Sequence, residues 1–311
     1  MSGVDEPPAS EPNESPAADQ DEMPPSQTDG GVATEQAVEL PSGPGGHSPL
    51  QQVATVTRQE YALSVRNRWA LALTVLFASL SLLVVALAGQ NGIVRPDAIV
   101  VSLVELATLL LPLVALLFGY DAIVGSEEAG WLGMLFALPV PRRRVVLGTY
   151  LGRLAVFVGA VVIGFGGGGV WLALVGLLTP AYLGLIGASA LAGASFLALA
   201  LVVSTLAAEK THALGGTLLL WVWVALVHDL VSVGVIAAGL VPSEWLAAFV
   251  LANPATVFRV LALQSVPTVT GGMAEILVGT GLTTPVLVAA LLAWSIGPVW
   301  LAGRLVSRRS V

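Results

Sequence analysis

Six apolar runs recur along this chain of 311 residues, and they constrain its fold more than any other feature. A helix needs roughly 20 apolar residues to cross the hydrocarbon core of a bilayer. The runs span about Trp69 to Ala88, Ile99 to Leu117, Val145 or Tyr150 to Leu178, Leu183 to Leu206, Leu214 to Leu240, and Leu282 to Leu305. They predict an all-α integral membrane protein with six transmembrane helices. Composition agrees: 11% of residues are charged and 56% are hydrophobic, whereas soluble domains carry about 25% charged residues. A further run, Trp245 to Leu263, competes as a seventh span. Asn253-Pro254 and Arg259 interrupt it, so a pair of short external interfacial helices is preferred.

The net charge of −7 hides a split, because residues 1–50 hold ten acids and no Lys or Arg. That stretch is rich in Pro, Ser, Gly and Gln, and cannot bury enough apolar surface to offset chain entropy. It is expected to be a disordered cytoplasmic tail, either solubilising or partner-binding. The remainder, residues 51–311, is expected to form the second, membrane-embedded domain. No signal-peptide pattern precedes the first span, which is then expected to act as the insertion signal.

Lys and Arg near the span ends set the orientation. With the N-terminus in the cytoplasm, the inner side receives Arg58, Arg66, Arg68, Arg142, Arg143, Arg144, Arg153, Lys210, Arg304, Arg308 and Arg309. The outer side receives Arg95 and Arg259. Both termini of a plasma-membrane protein are thereby expected in the cytoplasm. Between Gln51 and Arg68, apolar Val53, Val56, Tyr61, Leu63 and Val65 mix with charged residues, which suits an amphipathic helix on the inner leaflet.

Catalytic patterns are missing. The sequence has no phosphate-binding loop, no H-E-x-x-H, no G-x-S-x-G, no Cys and three His. No catalytic or metal-binding residue is expected, and no cofactor on this chain. An ionisable side chain within a span is a functional candidate by default. Glu105 lies about one turn into the second run, Asp121 near its end, and His228 and Asp229 midway along the fifth, with Glu209 at an inner end. These side chains either lock helix packing or serve a translocation or coupling step. The spacings Gly148-x-x-x-Gly152 and Gly164-x-x-x-Gly168 permit close helix approach, or a hinge.

One polar segment separates the second and third runs. Ser126 is placed to cap a helix, and Glu127 and Glu128 fall in its first turn, where the helix dipole favours acids. Trp131, Leu132, Leu135, Phe136 and Leu138 follow as an apolar face, and Pro139 and Pro141 end it. Arg142, Arg143 and Arg144 are then set to anchor the segment at the inner headgroups. An apolar face outside the bilayer core needs cover, from lipid or from a partner.

This segment also resembles a family. Gly119-Tyr120-Asp121-Ala122-Ile123, Glu127-Glu128-x-Gly130, Leu135-x-x-Leu138-Pro139-Val140-x-Arg142 and Leu147-Gly148-x-Tyr150-Leu151-Gly152 are similar to the cytoplasmic loop of type-2 ABC exporter permeases. In particular they resemble the NosY-type permeases of nitrous-oxide-reductase maturation. Gly164-Phe165-Gly166 and Ala252-Asn253-Pro254-x-x-x-Phe258-Arg259-Val260-Leu261 fit as well. Where the family usually has a basic residue, Lys and Asp, this chain has Ala129, Thr149 and Ala255-Thr256.

The resemblance implies a six-helix permease acting as a homodimer, with two separate ABC ATPase subunits carrying ATP and Mg. The segment Ser126 to Leu138 would be the coupling helix, with Glu127, Glu128, Gly130, Trp131, Leu132, Leu135 and Pro139 at the ATPase. An extracytoplasmic accessory protein would act with it in assembling the reductase copper site, and nucleic acid has no part. Export of a lipid, drug or peptide is the alternative within the family. A non-transporting membrane scaffold, or an intramembrane enzyme using Glu105 or Asp229, are alternatives outside it.

Overall fold

A computed structural model describes residues 48–89, 94–128, 141–239, 243–266 and 281–308. The acidic tail up to residue 47 lies outside them, as do Gly130, Trp131, Leu132, Leu135 and Pro139. Among the described residues all regular structure is helical, and six helices are long and apolar enough to cross a membrane.

A first helix, α1 (Pro49–Arg66), precedes the spans. It starts two residues before the expected Gln51, because the Ser48 hydroxyl accepts from the Gln51 amide and the Gln51 side chain accepts from the Ser48 amide. This reciprocal capping satisfies two otherwise orphaned donors. The spans follow: α2 (Trp69–Gly89), α3 (Pro96–Gly119), α5 (Arg142–Leu174) and α6 (Pro180–Leu206). A short α4 (Val124–Glu128) follows α3. The fifth span consists of α7 (Lys210–Val222), a π turn (Trp223–Val227) and α8 (His228–Ala237). Then come α9 (Ser243–Leu251), α10 (Pro254–Leu263) and the last span, α11 (Thr284–Arg308). Alternation of the spans puts α1, α4 and the end of α11 at one end of the bundle, and α9 and α10 at the other.

The fourth span, α6, is central and packs against α3, α5, α10 and α11. Lipid tails are as apolar as Leu, so close backbone approach and interhelical hydrogen bonds must hold such a bundle together. Small residues supply both. A Cβ at Gly164 would fall 2.4 Å from that of Phe77, and the Ser81 hydroxyl donates to the Gly164 carbonyl at 3.1 Å. Between α6 and α11, the Ser195 hydroxyl donates to the Leu291 carbonyl at 2.9 Å. Leu71, Ile163, Leu219, Leu230 and Ile296 point outward and are more than half exposed, as a lipid solvent demands.

One expectation is extended here and another corrected. The expected amphipathic helix α1 is not left to lipid alone: it also docks on the bundle. Its face of Val56, Thr57 and Glu60 lies directly on Gly148 and Gly152 of α5. The glycine spacing therefore serves this docking, since any side chain there would hold the helices apart. Nor is the α9–α10 pair merely interfacial. The two helices meet at 105°. Val257, Phe258 and Val260 of α10 are fully buried in the bundle. Asn253 makes the bend possible: its side chain accepts from the Ala255 amide, and Pro254 occupies the first helical turn, where no amide donor is required.

Candidate functional site

The first charged cluster forms at the end of the bundle that carries α1. Arg153 of α5 lies between Asp121, just past α3, and Glu60 of α1, with closest N···O distances of 2.7 and 3.8 Å. It also donates to the Phe118 carbonyl, satisfying part of the C-terminal end of α3. Burial pushes the Glu60 carboxyl above its ordinary value. Arg153 opposes that shift and the charge of Asp121 adds to it. Glu60, Asp121, Arg153, Lys210, Trp69 and Phe118 help line a cavity of about 450 Å³.

The polar segment is fastened beside this cavity. The Ile123 and Val124 amides donate to the Ser204 hydroxyl of α6 at 3.0 and 3.2 Å. Glu128 accepts from the Lys210 amide at 2.8 Å and pairs with the Lys210 ammonium at 3.6 Å. Its carboxylate thus caps α7, while Glu209, at the cap position itself, makes no side-chain cap bond. Ser126 is not the expected cap either. It lies inside α4 and its hydroxyl donates back to the Ala122 carbonyl at 3.3 Å. Glu127 lies beside it in the same turn.

Arg142, Arg143 and Arg144 form the first turn of α5, which begins three residues before the expected Val145. Cations at a helix N-terminus oppose the dipole, by about 0.3–1 kcal/mol each at exposed sites. Specific contacts offset that cost. Arg142 donates to the Val306 carbonyl in the last turn of α11 at 3.3 Å, and Arg144 to the Gln52 side chain of α1 at 2.7 Å. Arg143 packs along Gly303.

A second cluster lies among the spans toward the α9–α10 end, with Arg259 covered and its partners Glu105 and Asp229 46% and 33% exposed. Glu105 is about 13 Å along α3 by helical rise, deeper than the single turn expected, because α3 starts at Pro96. Arg259 of α10 joins it at 3.1 Å and Asp229 of α8 at 2.9 Å. His228 Nδ1 stands 3.9 Å from the other Asp229 oxygen, and its carbonyl accepts from Ser232. Arg259, assigned by sequence to the outer side, sits toward the α9–α10 end with its side chain only 15% exposed. The reason is electrostatic: two carboxylates within a span need a cation, and α10 carries one into the bundle. Just before His228, Asn253 donates to the Val224 carbonyl in the π turn at 2.9 Å.

Glu105, His228 and Asp229 are therefore brought together. Asp121 belongs to the other cluster, just past the end of α3 at Gly119, which is about 21 Å from Glu105 by helical rise. Among the described residues no group of three or more His, Cys, Asp or Glu is placed to hold a metal ion. Glu60, Arg153, Asn253 and Arg259 went unrecognised as site members. A lone Arg in an apolar run was the available signal for Arg259.

Relatedness agrees with this architecture. Residues 54–311 match the family described as ABC-2 family transporter protein. The chain is 38% identical over 272 residues to a probable ABC transporter permease protein NosY of Pseudomonas aeruginosa, covering 83% of this chain and 99% of that one. It is 37% identical over 259 residues to a probable NosY of Stutzerimonas stutzeri, covering 79% of this chain and 94% of the relative. Six membrane-spanning helices and a match over nearly all of them make the chain a member of the ABC-2 family, a permease subunit of an ABC transporter.

Proposed function

We propose that this permease couples ATP hydrolysis on two separate ATPase subunits to an event on the far side of the membrane. In this reading a homodimer sits in the plasma membrane with both termini in the cytoplasm. The cluster of Glu60, Asp121 and Arg153 then faces the cytoplasm, and the α9–α10 end faces outward. Glu127, Glu128, Trp131, Leu132 and Leu135 dock the ATPase, with Gly130 and Pro139 shaping that segment. ATP and Mg act on the partner, and this chain needs no cofactor of its own.

The observation that carries the reading is the fastening of Glu128 to Lys210. It joins the start of the polar segment to the fifth span, so a force on the segment is passed to a helix that crosses the bilayer. The likeness to two NosY permeases over most of the chain supports the narrower role, copper-site maturation of nitrous oxide reductase with an extracytoplasmic accessory protein. A strain lacking this chain is expected to make reductase depleted of copper, restored by the intact gene. Full copper loading in that strain would remove the maturation role and leave the permease reading standing.

A further inference from the structure

The fifth span is packed unlike the others. Only 11% of its apolar stretch is buried, against 56%, 50% and 61% in the second, third and fourth spans. Within the single chain, few side chains hold it by packing, and its ties to the rest of that chain are the polar ones. Near its start, Lys210 is tied to Glu128. Before the π turn, the Trp221 indole donates to the Leu109 carbonyl of α3 at 3.0 Å. At the turn, Asn253 donates to Val224, and beyond it Asp229 pairs with Arg259.

The π turn is the weak point of this helix. The His228 amide reaches back five residues to the Trp223 carbonyl. Such a widened turn is rare and costs regular ladder geometry. Neither Pro nor Gly lies within Trp223–Val227 to cause it. Asn253, 2% exposed, does two things at once. Its oxygen accepts from the Ala255 amide and caps α10, while its nitrogen holds the Val224 carbonyl. One side chain thus joins the bend of the α9–α10 pair to the turn in the fifth span.

We infer that the π turn is a hinge dividing the fifth span, with Asn253 tying the turn itself to the start of α10 and Arg259 clamping the half beyond it to the same helix. The near half moves with α4 through Glu128 and Lys210. Displacement at that end is delivered through the hinge to the α9–α10 pair. The inference rests on the permease reading for the source of the force, and on the two clamps for its delivery.

The test is hydrogen–deuterium exchange on the full chain in lipid nanodiscs, with and without its ATPase. Asn253→Asp, held ionised at alkaline pH, keeps the acceptor for Ala255 and lacks the donor for Val224. It is expected to speed exchange over 223–229 by about three- to tenfold, the worth of one hydrogen bond, and to leave 254–263 unchanged. Asn253→Ala is expected to speed both. Arg259→Lys keeps the charge without the forked contact, and is expected to speed exchange over 228–235. Exchange over 223–229 at the wild-type rate in both Asn253 variants overturns the clamp, and so does a wild-type rate over 228–235 in Arg259→Lys. With the ATPase bound, ATP is expected to alter exchange over 223–229 in the wild type, and no change there overturns the hinge. Failure of any ATPase to bind counts against the permease reading instead, and the clamp is then judged by exchange on the chain alone.

Discussion

Arg259 meets Asp229 across thirty residues of sequence, its Nη1 donating to Oδ2 at 2.9 Å. The contact links a helix that ends in the bundle to a span that crosses it. Arg259 also holds Glu105, so one guanidinium balances carboxylates from two different spans. Removing it leaves both acids without their cation. Arg259→Gln is expected to destabilise the protein by about 1–3 kcal/mol, between an exposed and a buried pair, since Arg259 is covered while its two acids are partly exposed. Asp229→Asn is expected to cost less, because Glu105 still serves Arg259. Equilibrium unfolding in mixed micelles reads both values, and equal costs would contradict the shared-cation arrangement.

The docking of α1 depends on two missing side chains. A Cβ at Gly152 would fall 2.6 Å from that of Glu60 and 2.7 Å from the Thr57 carbonyl, and one at Gly148 2.6 Å from that of Val56. Gly152→Ala is therefore expected to cost about 1–3 kcal/mol by overpacking and to speed proteolysis of α1. Gly167 has open space at the same position. Gly167→Ala is expected to be neutral or to gain up to about 1 kcal/mol from helix propensity. Matching losses at the two sites would show that close approach is not what Gly152 provides.

Glu60 gives this contact a pH dependence. Burial, aided by Asp121 and opposed by Arg153, raises its carboxyl above 4.5. The folded state then holds the proton more tightly than the unfolded chain. Its contribution is favourable at low pH and is lost as pH rises from 4.5 through the raised value. Resistance of α1 to proteolysis is expected to decline across that window, and Glu60→Gln is expected to flatten the decline. Coincident profiles for the two proteins would assign the pH dependence to another group.

Glu128 is the cap of α7. Glu128→Ala is expected to cost about 1 kcal/mol of local stability and to speed amide exchange over 210–213. Glu209→Ala, at the formal cap position, is expected to leave that exchange unchanged. A reversal of the two would move the cap to Glu209.

Apolar length made the six spans legible, because the bilayer demands it of every crossing helix. The small-residue spacing of α5 was legible as close packing, but not the identity of the partner, α1. Charge pairing was the illegible part. Glu105, Asp229 and Arg259 lie on three separate elements, and nothing local to any of them records the others. For Arg259 the charge count gives only a side of the membrane and says nothing of its burial against two acids. Only the 105° bend at Asn253, which turns α10 back into the bundle, shows that it faces its acids. Ser126 was a plausible cap by residue type, yet the helix begins before it at Val124.

Co-purification tests the central claim most directly. The tagged full chain, extracted from its own membranes in mild detergent, is expected to bring down an ABC ATPase that hydrolyses ATP faster in the complex than alone. Trp131→Asp with Leu135→Asp is expected to abolish that association while leaving the chain in the membrane. An ATPase recovered equally with both chains would contradict docking on the polar segment, and recovery of no ATPase with the wild type would contradict the coupling account itself.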